Sequence, residues 1–134
     1  MSEICMPVDA AAELIAFLGK RLAWPVAGAA RPGRMVQVLA TGGNPRDYVG
    51  AVDVHQLTIT AWGDDGSDRD TPRSIARLAL GVIRDAEFLG RLESAVCLAA
   101  EIVSTPYDDP DPTTGRARAT FTCRLHLRGQ RKDH

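Results

Sequence analysis

From Arg116 to Arg128 the chain reads RARATFTCRLHLR, with polar and apolar residues in strict alternation. A repeat of two belongs to a strand with one buried and one open face. Ala117, Ala119, Phe121, Cys123, Leu125 and Leu127 are predicted to point inward, and Arg116, Arg118, Thr120, Thr122, Arg124, His126 and Arg128 outward. Two stretches follow the helical period instead. Over Asp9 to Leu22, Ala11, Leu14, Ile15, Leu18 and Leu22 share one face behind Asp9 as N-cap. From Pro72 to Phe88, Ile75, Leu78, Ala79, Val82 and Ile83 form an apolar stripe, while Arg73, Arg77, Arg84 and Asp85 fall largely on the other side. Thr71 and Pro72 suit its N-cap and first position.

Three further strands are predicted. MVQVLAT, from Met35, is closed by a glycine pair, and NPRDYVG then makes a turn or loop. Val52 to Trp62 is a long β-branched run whose apolar parity changes between Val54 and Leu57; this predicts a bulge near His55 and Gln56 or a strand covered on both faces. In AVCLAAEIVST the more apolar phase is Val96, Leu98, Ala100 and Ile102, which pairs that side with Phe121 and leaves Cys97 on the other. The order α-β-β-α-β-β gives an α+β fold: a mostly antiparallel sheet of about four strands with two helices on one face and the second face uncovered. The chain reads as one domain over residues 1–134, with 129–134 a frayed basic tail.

Composition narrows the function only by exclusion. Sixteen basic and seventeen acidic side chains leave a formal charge of -1, so no whole-molecule field steers the chain to nucleic acid or an anionic membrane. The basic residues are fourteen Arg and two Lys, and aromatics are 5%, poor material for a base-stacking surface. Cys5, Cys97 and Cys123 are odd in number and lack CxxC spacing, which fits a reducing cytoplasm better than a disulfide framework or a zinc site. No apolar run is long enough for a bilayer span, and a signal-peptide pattern is not expected at the N-terminus.

Candidate chemistry is sparse. Asp108, Asp109 and Asp111 in YDDPDPTTG, and Asp64, Asp65, Asp68 and Asp70 in GDDGSDRD, look like calcium loops at first sight. Prolines interrupt the ligand spacing in the first and the closing Glu is missing from the second, so both are read as metal-free loops. A nucleophile elbow and a phosphate-cradling glycine motif are absent. His55 and His126 could meet Asp53 or Glu101, but a strand histidine on a polar face is read as a surface residue. Neither an enzyme nor a cofactor is expected. The outward arginines, by contrast, suit charged pairing with the acidic loop of another copy, a heterologous contact that closes into a ring if the rotation permits. Arg116, Arg118, Arg124, His126 and Arg128, with Tyr107, Asp108 and Asp109, are the expected subunit or partner contacts. The competing reading is a small nucleic-acid-binding α/β module.

The layout resembles the tail terminator, or tail-completion, proteins of long-tailed bacteriophages, also called minor tail proteins. The resemblance rests on AAAELIAFLGKRL, the tryptophan-ended VDVHQLTITAWG, TPRSIARLALGVIRDAEF and STPYDDPDPTTGRARATFTCRLHLRG, which together cover most of the chain. It implies an α/β subunit that assembles as a hexameric ring on the tail tube, stops tube polymerisation and offers a surface to head-completion or connector proteins. It also implies residence in the neck region of the virion after synthesis in the host cytoplasm. The family carries no catalytic motif to transfer.

Overall fold

Asp9 caps the first helix, α1 (Ala10–Gly19), by accepting the Ala12 amide at 3.1 Å, a contact whose loss typically costs about 1 kcal/mol. In the computed structural model, which describes residues 3–45 and 52–133, α1 follows a short strand β1 (Glu3–Met6) and precedes a two-residue strand β2 (Val26–Ala27). Then come β3 (Met35–Pro45), β4 (Val52–Trp62), α2 (Asp70–Leu89), β5 (Cys97–Asp108), β6 (Arg118–Arg128) and β7 (Gln130–Asp133). Of the expected NPRDYVG turn, Asn44 and Pro45 belong to β3, and the part from residue 46 lies outside the described residues.

The main sheet has five strands in the order β2-β3-β4-β6-β5, antiparallel except for the parallel pairing of β2 with β3. The α+β class therefore holds; the sheet, expected to have about four mostly antiparallel strands, has five and is mixed. The extra strand is concealed in AWPVAGAARPGR, where proline and glycine hide a two-residue pairing. Residues 130–133, expected to fray, instead form β7 and pair with β1 in a separate two-stranded sheet.

Both helices cover one face. Leu14, Phe17 and Leu18 of α1 and Ile75, Ala76, Ala79 and Ile83 of α2 are buried against Leu57, Ile59, Ala61, Phe121, Cys123 and Leu125. Truncating a fully buried Ile or Leu here costs about 2–5 kcal/mol. Glu13 ties α1 to the loop after α2 by accepting the amides of Ser94 and Ala95 and the Ser94 hydroxyl. Helix α2 starts at Asp70 behind Arg69, with no side-chain cap from Thr71, and ends on Gly90 in the left-handed region at φ 77°. Leu78, placed in its apolar stripe by the spacing, is 51% exposed, because the buried arc is turned toward Ala76, Leu80 and Ala86.

The sheet corrects two parities. Cys97 is buried in the core, and Val96 and Leu98 are exposed. A register shift between Cys97 and Ala99 sets two residues against one, so the phase flips and Ala100 and Ile102 return to the core side. Strand β4 pairs with β6 without interruption from Val52–Arg128 to Trp62–Arg118. The irregularity lies across from it, on β3 between Ala40 and Gly42, so the glycines carry a bulge instead of closing the strand. Gly43, at φ 143°, runs so close to β4 that a Cβ would meet the Val54 carbonyl oxygen at 1.9 Å. Strand β4 is buried on both sides near its end: Leu57, Ile59 and Ala61 face the helices, while Thr60 and Trp62 lie beneath the opposite surface.

Candidate interface at the loop end and outer sheet face

The outer face of the sheet is built by period-two alternation on four strands. Direct partners on it include Met35 with Trp62, Thr58 with Thr122, Thr60 with Thr120 and Gln56 with Arg124. The Thr60 and Thr120 hydroxyls lie 3.3 Å apart, a polar rung that is nevertheless buried. Ala27, Met35 and Trp62 form a small second apolar cluster at the loop end of this face.

The Trp62 indole donates to Gln37 Oε1 at 3.1 Å, and its ring carries the guanidinium carbons of Arg116 and Arg118 at 4.7 and 5.1 Å from its centre. Arg116 is otherwise saturated. Its guanidinium donates to the carbonyl oxygens of Gly63 at 2.6 Å, Arg31 at 2.7 Å and Gly33, stitching the loop before β3 to the turn after β4. Arg118 donates to the Asp109 carbonyl and pairs with its carboxylate at 3.3 Å. Arg124 reaches Gln56 Oε1 at 3.2 Å and remains exposed, as does Arg128. His126 is 7% exposed, with Nε2 2.6 Å from Glu101 Oε1. It lies on the outer face as the alternation predicts, but it is buried against Glu101 and is not the surface residue expected.

The acidic loop is ordered by its own bonds. Asp111 accepts the Thr113 amide and the Thr114 hydroxyl, both at 3.0 Å, which draws its carboxyl below the usual range, the Thr113 amide contributing most. Asp108 leaves the loop altogether and pairs with Arg73 of α2, whose hydrogen bonds likewise lower its carboxyl pKa. Tyr107 is half-exposed beside that pair. In the second acidic stretch, Asp68 pairs with Arg34 and accepts the Asp64 amide at 2.9 Å, and the Arg34 bond is the main reason its pKa is held at about 2. Among the described residues, no three His, Cys, Asp or Glu side chains converge as a metal site.

The eight expected contact residues are thus not one patch. Arg116 and Arg118 cluster with Asp109 around Trp62, Asp108 and Tyr107 turn to α2, His126 is buried beside Glu101, and Arg124 and Arg128 stay at the surface. Sequence reasoning missed Trp62 as the organiser of the loop end and left Arg73, Arg77 and Arg84 as an ordinary solvated face. Cross-strand register, which no spacing reveals, decides the first.

No family model and no curated protein matches the sequence. Among solved structures, the chain is similar to a chain of the virion of a native gene transfer agent particle, with a TM-score of 0.57 and 17% identity over 87% of this chain and 84% of that one. At that identity the likeness is one of fold. Among the described residues, no helix is long and apolar enough to cross a membrane.

Proposed function

We propose that this chain is a structural, non-enzymatic subunit of a phage-like virion. It works as a tail terminator: it caps the tail tube as a homo-oligomeric ring, hexameric by the resemblance in its layout. The ring halts tube polymerisation and presents its other side to a head-completion or connector protein. The observation that carries this reading is the fold shared with a chain of a gene transfer agent virion over nearly the full length of both. An outer sheet face left free of helices, with Thr58, Thr122, Gln56 and Arg124 across neighbouring strands, supports a role in surface contact.

The test is growth of purified tail tubes with and without the protein, followed by electron microscopy. Tubes of bounded length with a ring at one end are expected. Unaltered tube growth, with the added protein monomeric throughout, would overturn the reading. A steep salt dependence of duplex DNA binding would instead favour the nucleic-acid module.

A further inference from the structure

With Arg116 and Arg118 beside Trp62 committed inside the molecule, uncommitted guanidinium groups lie elsewhere. Arg73, Arg77 and Arg84 of α2 are exposed along one side of the helix and, with Leu80, form one wall of a groove of about 500 Å³. The other wall is Thr105 to Asp108 at the end of β5. Arg73 is taken by Asp108 and Asp70, but among the described residues neither Arg77 nor Arg84 lies within salt-bridge distance of a carboxylate. Tyr107, 52% exposed, adds a rigid amphipathic ring to the same groove.

The matching charge sits at the loop end, in a cavity that shares no residue with the groove. Asp64 and Asp65 are exposed on the loop between β4 and α2. Arg34, just before β3, draws that loop its way, 3.4 Å from Asp64 and 3.0 Å from Asp68. The loop lines this separate cavity with Trp62 and Arg116, so the basic groove and the acidic loop are two distinct surfaces of one chain. Two unlike surfaces suit a heterologous contact, which closes into a ring where the rotation permits.

We infer that the groove of Arg77, Arg84 and Tyr107 receives the Asp64–Asp65 loop of a second copy of this chain. The inference rests on the ring proposed above and names its contact. Paired guanidinium and carboxylate groups fix the register between copies, and unlike neighbours are rejected by like charge.

The experiment compares the full chain with two charge reversals, Arg77→Glu with Arg84→Glu, and Asp64→Arg with Asp65→Arg, by sedimentation alone and with tail tubes. All sites are exposed, and circular dichroism checks that each variant is folded. Each reversal on its own should weaken self-association at least about tenfold, and an equimolar mixture should restore it, because each defective surface then meets its complement. Wild-type rings that persist in either reversal, or a mixture of folded variants that fails to recover, overturn the inference and leave the ring standing. A wild type that never self-associates, even on tubes, removes both. Duplex DNA bound by the wild type and lost with Arg77→Glu and Arg84→Glu would assign the groove to nucleic acid and overturn the inference.

Discussion

Arg116 lies 4.7 Å from the centre of the Trp62 ring while its three guanidinium nitrogens are spent on the carbonyl oxygens of Gly63, Arg31 and Gly33. A residue that the alternation presents as surface charge is therefore a strut holding two loops to the sheet. Replacing it with alanine leaves those carbonyls without their donor and should lower stability by about 2–4 kcal/mol. Arg116→Lys should recover less than half of that, since an ammonium cannot fork to three acceptors in a plane. Urea denaturation followed by tryptophan fluorescence reads both; a change under about 0.5 kcal/mol for the alanine variant would contradict the strut.

The remaining outward arginines separate into two kinds. Arg118→Glu sets a carboxylate against Asp109 and should destabilise the monomer by about 1–2 kcal/mol. Arg124→Glu and Arg128→Glu, at exposed positions, should stay within about 0.5 kcal/mol of wild type. Equal losses at all three positions would show that the row behaves as one surface.

Burial pushes the Cys97 thiol up to about 11 and the Cys123 thiol up to about 12. In a Cys5→Ser background, the folded protein at pH 8 should react with Ellman's reagent only after denaturation. The sign of the pH effect follows from linkage. Folded-state values above the ordinary 9.0 keep the thiols neutral when the unfolded chain ionises, so stability is full below pH 9 and falls as pH rises through 11 and 12. A midpoint of denaturation unchanged between pH 8.5 and 10.5 would contradict it.

At the acid end the sign reverses. Asp68, held at about 2 chiefly by Arg34, contributes stability above its ordinary 3.8 and loses it as pH falls toward 2. Asp108 and Asp111 are shifted the same way by Arg73 and by the Thr113 amide. Asp68→Asn should lower stability at pH 7 and flatten the decline between pH 4 and 2. A variant whose acid profile parallels the wild type would rule Asp68 out as a contributor.

Periodic segments were legible from the sequence where one repeat ran unbroken. All six residues predicted to point inward, from Ala117 just before β6 to Leu127, are buried, and α1 opens on Asp9. Reading failed where geometry changes the phase without changing composition. The shift at Cys97 and Ala99 moved Leu98 out and Cys97 in, and β1 and β7 pair across almost the whole chain, a partnership that local pattern cannot encode. The candidate surface was legible only as a direction. Arg116 and Arg124 share a face and a charge, but the loop carbonyls that capture the first are brought there by tertiary folding.

Strand β5 changes register three times against β6 and carries Pro106, which has no amide hydrogen to give. Its outer margin therefore presents a broken comb of donors and acceptors, unsuited to templating another backbone. Copies meeting along that margin are confined to side-chain recognition, so growth by continuous sheet extension is blocked there.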